Sequence, residues 1–229
     1  MEYFSMRLAR VEEVAEGIRI FSFEGEVPEY QPGNFFLIRL EGEGGKKIFR
    51  PFSAATHPSE HGLRFCVKIK GALTSLLWKM PIGGIAEIAG PYGLFVLDGS
   101  DSERVFIAGG TGIAPLRAMI LQTLAEEKRA FLFHSAGTHS GLIYSEEMRL
   151  YEAKNPNFSF FPAVTRQEMP DEWEGIRGRL TAEAIAQKLG LLEGKTFYLC
   201  GPKEMISSLV DGLAAAGVPK EKIKKEEWG

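Results

Sequence analysis

The hydrophobic periodicity of the chain changes close to residue 100, and this change constrains the fold more than any other feature. Before it, short runs alternate apolar and polar side chains between Gly- and Pro-rich turns, which is typical of strands. One helical segment, residues 74–80, interrupts them, with Thr74 as its expected N-cap. The predicted strands are residues 5–11, 18–24, 35–40 and 63–69. Short, evenly spaced strands predict a small antiparallel barrel.

Beyond residue 100, predicted strands and helices alternate. The strands are residues 104–108, 130–134, 158–164 and 196–200, and the helices are residues 113–128, 145–153, 181–188 and 203–216. This alternation predicts an α/β domain whose parallel sheet is covered on both faces. The polar stretch 98–103 separates the two patterns, so we expect a β-barrel domain at 1–99 and an α/β domain at 100–229.

Composition excludes several classes of protein. The net charge of -3 gives no basic face for a nucleic acid. We find no apolar stretch long enough to cross a membrane and no charged leader, so we expect a cytoplasmic protein without membrane insertion. The two cysteines, Cys66 and Cys200, are expected to be free thiols, too few for an all-cysteine iron–sulfur cluster. The four histidines show no metal spacing, and His57 and His61 are expected in exposed loops.

A glycine turn follows the first strand of the second half. Residues Gly109-Gly110-Thr111-Gly112 lead from that strand into a helix with Pro115 in its first turn. Glycines allow close backbone approach, and a helix N-terminus offers free N–H groups to a pyrophosphate. Pro115 stands where the dinucleotide fingerprint has its last glycine, and no acidic residue closes the next strand, so this is not a standard dehydrogenase motif. A purely structural turn is the alternative.

Three motifs together carry a family resemblance. Arg50-Pro51-Phe52-Ser53 fits an R-x-[YF]-S flavin signature, and the glycine turn resembles a nicotinamide-nucleotide turn. The third is Tyr198-Leu199-Cys200-Gly201-Pro202, followed by Met205. In this order they resemble the ferredoxin–NADP reductase superfamily over essentially the whole chain, with weaker matches at 31–35 and 90–93.

The resemblance implies an FAD-binding barrel (1–99) and an NAD(P)-binding α/β domain (100–229), with the flavin between them. It implies hydride transfer from NADH or NADPH to FAD, and then electron transfer to a separate acceptor, an iron–sulfur protein or a partner subunit. A stand-alone reductase of free flavin, ferric chelates or quinone is one alternative. A non-catalytic flavin- or nucleotide-binding regulatory module is another.

On the flavin side, the resemblance assigns Arg50 to the FAD pyrophosphate and sets Pro51 and Phe52 beside the ring. The Ser53 hydroxyl would approach the ring nitrogen N5, which accepts the hydride. Backbone groups of Val67-Lys68-Ile69 would contact the flavin, and the segment with Gly71, Thr74 and Ser75 would hold FAD phosphate. Relatives often carry a glycine where Leu73 stands.

On the nicotinamide side, it assigns cofactor binding to Gly110, Thr111, Gly112, Pro115, Cys200, Gly201 and Pro202. Cys200 would lie near the reactive carbon of the nicotinamide, unless it is merely a small buried side chain. Trp228 would stack on the flavin until the nicotinamide displaces it, with Glu226 near the ring, although a frayed tail is the alternative. Ser53, Cys200, Glu226 and Trp228 form the predicted catalytic set.

The choice between NADH and NADPH rests on the segment after the second α/β strand. Residues Gly137-Thr138-His139 carry no arginine for a 2′-phosphate, which favours NADH. Arg166 and Lys203 are possible substitutes elsewhere. Acidic residues at Glu146 and Glu147 and in the 171–174 segment are interpreted as solvated surface.

Overall fold

Six antiparallel strands form the first sheet in the computed structural model, which describes residues 2–169 and 171–228, except for the Trp228 side chain. They are β1 (Phe4–Ala15), β2 (Ile18–Glu24), β3 (Phe35–Glu41), β4 (Lys47–Ser53), β5 (Leu63–Lys68) and β6 (Ile85–Tyr92), in the order β4-β3-β6-β1-β2-β5. Phe52 of β4 packs on Phe65 of β5 with ring centroids 6.3 Å apart, so the sheet curls until its edges meet. The predicted barrel is confirmed as barrel-like, although no ladder closes it within the described residues.

Strand β6 lies between β3 and β1, yet the sequence pattern did not predict it. Its Gly90-Pro91 step breaks the alternation of the strand. The structure accommodates this step at an irregularity in the β3–β6 register, between the pairs Phe35↔Tyr92 and Leu37↔Ala89. A proline is tolerated in a sheet where the ladder is locally interrupted.

Six parallel strands form the second sheet, which confirms the predicted α/β architecture. The strands are β7 (Glu103–Gly109), β8 (Ala130–Ala136), β9 (Phe158–Val164), β10 (Ile176–Arg177), β11 (Lys195–Pro202) and β12 (Ile223–Trp228), in the order β10-β9-β8-β7-β11-β12. The helices are α1 (Ala72–Lys79) beside the first sheet, and α2 (Ile113–Ala125), α3 (Ser145–Lys154), α4 (Ala182–Leu189) and α5 (Lys203–Ala215) with the second. Thr181 caps α4, because its hydroxyl oxygen accepts from the Ala184 N–H at 3.2 Å.

The order in which successive strands are added to the second sheet reverses at β7. Strand β8 pairs on one side of β7, whereas β11 pairs on the other. Open parallel sheets bind ligands in the crevice outside the carboxyl ends of the strands at such a reversal. The Gly110–Gly112 turn and the Gly201-Pro202 step lie at these two strand ends.

Residues 223–228 form strand β12, so the frayed tail considered from the sequence is wrong. They pair in parallel with β11 from Phe197↔Ile223 to Pro202↔Trp228. Because Cys200 pairs with Glu226 in this ladder, the end of the chain is brought to the same crevice.

The two sheets share one hydrophobic cluster. Ile20, Ala55 and Phe95 from the first part of the chain pack with residues of α2 and β11. Gly33 (φ +102°) lies at this junction, where a side chain would overlap the Phe95 carbonyl oxygen and the Met119 methyl group. The two halves therefore meet at a packed, apolar junction.

We expect Gly33→Ala to lower the free energy of unfolding by at least about 3 kcal/mol, because its Cβ would collide with backbone at the junction. Gly99→Ala is the matched control, since Gly99 also has a positive φ (+69°) but its Cβ would meet nothing within 4 Å. The control should lose only about 1 kcal/mol, the cost of the backbone conformation. Denaturant unfolding of both variants measures the difference, and equal losses would contradict the packing argument.

Candidate functional site

A hydrogen bond between the two sheets lies at the centre of the site. The register of β3 with β4 is regular up to Phe35↔Ser53, so Ser53 is delivered by a strand end and not by a bulge. Its Oγ donates to Oε2 of Glu226 in β12 at 3.0 Å. The structure thus joins two residues that are 173 positions apart in sequence and that belong to different predicted motifs.

Cys200 is the cross-strand neighbour of Glu226. It pairs with Glu226 on one side and with Ala108 on the other, and it is 4% exposed. Burial raises the pKa of the Cys200 thiol well above its usual value, and the negative charge of Glu226 raises it further. A thiol in this environment stays protonated and is not activated as a nucleophile.

Glu226 is a half-buried carboxyl group in the same crevice. Burial raises its pKa, and the hydrogen bond from Ser53 offsets only part of that shift. Ser53, Cys200 and Glu226, three of the four predicted catalytic residues, are therefore in one place. Trp228 follows two residues later and its backbone pairs with Pro202, but the predicted stacking of its side chain falls outside the described residues.

The glycine turn after β7 exposes its backbone at one position and packs it tightly at another. Gly110 (φ +53°) has nothing within 4 Å of the place a Cβ would occupy. Gly109 is packed instead: a Cβ there would lie 2.7 Å from Cδ of Pro202 and 2.9 Å from Sδ of Met205. These contacts give a structural reason for the Gly-Pro step and Met205 in the third motif. Helix α2 begins at Ile113, so Pro115 falls in its first turn as predicted.

His134, in the neighbouring strand β8, supports the glycine turn, and sequence reasoning did not assign it this role. It lies in the buried strand β8, and its Nε2 lies 3.1 Å from the Gly110 carbonyl oxygen. Burial lowers the pKa of His134 to about 4, against a small opposing effect of that hydrogen bond. The ring is therefore neutral and donates from Nε2, while its buried Nδ1 has no partner among the described residues. Its position in the strand beside the glycine turn was the available signal.

The helix near the flavin signature starts earlier than predicted. Helix α1 begins at Ala72 after Gly71 (φ +134°), so the assignment of Thr74 as its N-cap is wrong. The Thr74 hydroxyl accepts from the Lys70 N–H and donates to the Gly71 carbonyl, both at 2.9 Å. Among the described residues, the N–H groups of Ala72, Leu73 and Thr74 have no acceptor. A phosphate at this helix start would meet backbone donors.

The remaining predicted flavin residues lie on the edges of the first sheet. Arg50 is exposed, and its Nη1 donates to the Phe49 carbonyl at 2.7 Å. Phe52 is half-buried against Phe65. In β5, which is an edge strand, Val67 is buried while Lys68 and the following Ile69 are exposed.

The cations considered for a 2′-phosphate are separated in the fold. The backbone N–H of Arg166 donates to the Gly137 carbonyl at 2.9 Å, so its exposed side chain lies beside the turn after β8. Lys203 is exposed at the start of α5, after β11.

Two residues interpreted from the sequence as surface lie in a network at the junction. Glu147 does not belong to a solvated patch, because its carboxylate binds the buried Arg117 at 2.6 and 2.8 Å. His57 is buried and not exposed: its ring nitrogens lie 2.7 Å from Ser59 Oγ and 2.9 Å from Gln122 Oε1. His61 is exposed as expected. Sequence periodicity carries no sign of this network, since it joins three segments.

Family models match both halves of the chain. An oxidoreductase FAD-binding domain matches residues 5–97, and an oxidoreductase NAD-binding domain matches residues 106–211. Among curated relatives, one component of a Na(+)-translocating NADH-quinone reductase is 30% identical in Yersinia enterocolitica and 28% identical in Pseudoalteromonas atlantica. Each alignment covers 89% of this chain and 55% of the relative, so the chain spans about half the length of these proteins.

Solved structures share the whole fold. A ferredoxin NADP+ reductase from Neisseria gonorrhoeae with bound FAD and NADP superposes with a TM-score of 0.88 at 20% identity, covering 99% of both chains. The flavohem-like FAD/NAD-binding domain of nitric oxide dioxygenase from Vibrio cholerae superposes with a TM-score of 0.88 at 21% identity, covering 98% of both chains.

Fold, site and matches together define an oxidoreductase that uses FAD and a nicotinamide nucleotide. The chain joins an oxidoreductase FAD-binding domain to an oxidoreductase NAD-binding domain, an order that agrees with the resemblance of its motifs to the ferredoxin–NADP reductase superfamily. Within the described part of the chain, no helix is long and apolar enough to span a membrane, and no group of three or more His, Cys, Asp or Glu residues is arranged to hold a metal ion.

Replacing His134 should make the free energy of unfolding depend less on pH in the acid range. The pKa of His134 is about 4 in the folded protein, below its ordinary value of 6.5. Between these two pH values the imidazole is therefore protonated in the unfolded chain and neutral in the folded one. Stability contributed by neutral His134 is complete above about pH 6.5 and is lost as the pH falls, by about 1.4 kcal/mol per unit.

We therefore expect the free energy of unfolding to fall by about 2 kcal/mol less in His134→Gln than in wild type between about pH 7 and pH 4.5, as measured by denaturant unfolding. His61→Gln, at the exposed histidine, controls for the loss of an imidazole and should follow wild type. Parallel curves for wild type and His134→Gln would disprove the buried neutral imidazole.

Proposed function

We propose that this chain takes hydride from NADH or NADPH onto FAD held between its two sheets, and passes the electrons to a separate acceptor. The observation that carries the proposal is the Ser53–Glu226 hydrogen bond, which joins the flavin motif to the end of the nucleotide-binding sheet beside Cys200. It places the residues assigned to both cofactors at one crevice.

The residues of the first sheet fit FAD. The start of α1 presents open backbone, since a Cβ at Gly71 would meet nothing within 4 Å. Its unpaired N–H groups suit a phosphate, and Arg50 keeps guanidinium donors free for a pyrophosphate. We assign Phe52, the backbone of residues 67–69, and the segment of Gly71, Thr74 and Ser75 to the same cofactor.

The residues of the second sheet fit a nicotinamide nucleotide. Open space at Gly110 and the N-terminus of α2 suit a pyrophosphate. We assign Thr111, Gly112 and Pro115 to this site, and Cys200, Gly201 and Pro202 to the nicotinamide. The two sites correspond to the proposed domains 1–99 and 100–229.

Bound FAD would supply a ring that accepts two electrons as hydride at N5 and releases them singly or as a pair. The Ser53 hydroxyl has a single O–H, which donates to Glu226 in this structure; with FAD bound, that O–H would turn from Glu226 towards the ring nitrogen to orient and polarise it. Glu226, whose pKa is raised by burial, holds a proton closer to neutral pH than an exposed carboxyl group does, and can exchange it with Ser53 Oγ. Cys200 remains a neutral thiol and excludes water from the crevice. We assign Trp228 to the flavin face.

We propose an iron–sulfur protein or a partner subunit as the acceptor, and a cytoplasmic location. Both cysteines are buried free thiols, which suits a reducing compartment. Two cysteines cannot supply the four thiolates of an iron–sulfur cluster, so such a centre would lie outside these 229 residues. The similarity to one component of the Na(+)-translocating NADH-quinone reductases supports transfer to a partner. We favour NADH as donor, with Arg166 as the residue that would favour NADPH.

Anaerobic titration of the purified protein tests the proposal. We expect a yellow protein whose visible absorbance is bleached by NADH more effectively than by NADPH. A colourless protein that reduces added riboflavin would support a free-flavin reductase instead. A yellow protein that neither nucleotide bleaches would leave only a binding module.

Loss of the Ser53 hydroxyl should slow hydride transfer. We expect Ser53→Ala to lower the limiting rate of flavin reduction at saturating nucleotide by at least about tenfold, because the donor near N5 is removed. Glu226→Gln should retain the hydrogen bond but remove the titrating group, so its rate should depend less on pH. Stopped-flow absorbance measures both, with the exposed Ser207→Ala as control. A wild-type rate and pH profile in both variants would exclude these roles.

A further inference from the structure

The guanidinium of Arg117 uses every donor it has. Its Nε and Nη2 bind the two oxygens of Glu147 at 2.8 and 2.6 Å. Nη1 and Nη2 bind the two oxygens of Glu60 at 2.7 and 3.0 Å, and Nη1 also donates to the Ala55 carbonyl at 2.7 Å. An arginine has five N–H donors, so the side chain, only 2% exposed, is fully satisfied.

The partners of Arg117 belong to different parts of the fold. Arg117 lies in α2 and Glu147 in α3, both beside the second sheet, whereas Ala55 and Glu60 follow β4 of the first sheet. Arg64 of β5 also pairs with Glu60, so the cluster is electrically balanced. Burial alone would raise the pKa of Glu60, but hydrogen bonds and charges from its partners hold it at about 2.

Arg117 and the hydride site lie on one closed circuit of contacts. Helix α2 begins at the glycine turn, and Arg117 in that helix donates to the carbonyl of Ala55, two residues beyond Ser53. Ser53 binds Glu226, which pairs through Cys200 to Ala108, next to the glycine turn again. Two direct links cross between the sheets on this circuit: Arg117 with residues 55 and 60, and Ser53 with Glu226.

We propose that Arg117 is a positioning residue for hydride transfer, because its fork fixes the nucleotide turn of α2 against the strand end that presents Ser53. This inference rests on the proposed function and adds a residue to it. Lysine cannot replace the fork, since its ammonium has three donors and no planar bidentate geometry.

The primary test compares Arg117→Met and Arg117→Lys with Arg104→Met. Arg104 is the matched control, a buried arginine whose bonds to Glu126 (2.9 Å) and Thr123 (3.0 Å) stay within the second sheet and its helix α2. We expect both Arg117 variants to keep FAD and to lower the limiting rate of flavin reduction at saturating NADH by about tenfold to hundredfold, as a misplacement near 1 Å would. Arg104→Met should keep the wild-type rate even where it lowers thermal stability.

A double-mutant cycle separates positioning from general weakening. If Arg117 acts through the placement of Ser53, then Ser53→Ala combined with Arg117→Lys should be about as slow as the slower single variant. Multiplied effects in the double variant would overturn the proposal, as would an Arg117→Lys rate within about twofold of wild type or an equal loss in Arg104→Met. Arg117→Lys decides the test if Arg117→Met fails to fold.

Amide hydrogen exchange supplies a readout that needs no turnover. The N–H of Ala55 donates to the Arg64 carbonyl at 2.9 Å beside the carbonyl that Arg117 binds. We expect the 54–64 segment and the first turn of α2 to exchange faster in Arg117→Lys than in Arg104→Met at equal global stability. Unchanged exchange in both segments would overturn the inference. A wild-type protein that NADH cannot reduce would instead overturn the proposed function, while the exchange result would still report on the contacts of Arg117.

Discussion

The arrangement of this protein depends on one buried arginine shared between its two halves. A charge inside a protein is costly unless it is fully paired, and removing one partner of such a cluster typically costs about 3–5 kcal/mol. Arg117 meets this condition only when α2, α3 and the segment after β4 are all in place, since its bonds reach Glu147, Glu60 and Ala55. The apolar cluster around Ile20, Phe95 and Met119 favours contact between the halves but does not fix their relative orientation. The directional hydrogen bonds of the guanidinium group fix that orientation.

The crevice follows from how strands end. Strands β7 and β11 are neighbours at the point where the sheet reverses its order, so the glycine turn and the Cys200–Pro202 segment lie side by side. Gly109 and Gly201 allow this approach, because a Cβ on Gly109 would press against Pro202 and Met205, and a Cβ on Gly201 would press against the Gly109 backbone and Met205. Strand β12 then adds Glu226 beside Cys200, and the end of β4 brings Ser53 across from the other sheet. The neutral His134 supports Gly110 without adding charge to a site proposed for a pyrophosphate.

Much of the fold and part of the site were predictable because they depend on local patterns. The α/β alternation, most strand positions, the glycine turn and the Thr181 cap depend on neighbouring residues alone. Strand β6 was missed because Gly90-Pro91 breaks its pattern, and β12 because a charged strand at a sheet edge has no apolar alternation. Thr74 was misplaced by one helical turn, since Gly71, with its positive φ, allows the helix to start earlier.

The sequence by itself determined the two domain architectures, the order of three cofactor motifs and the identity of the residues assigned to hydride transfer. The motifs are recognisable in the sequence because binding phosphate, flavin and nicotinamide restricts which residue types can stand at short spacings. Only the tertiary structure decided that Ser53 donates to Glu226, that His57 is buried and that Arg117 connects the halves. These contacts join residues 62 to 173 positions apart, and their geometry depends on how two sheets pack, which no local pattern encodes.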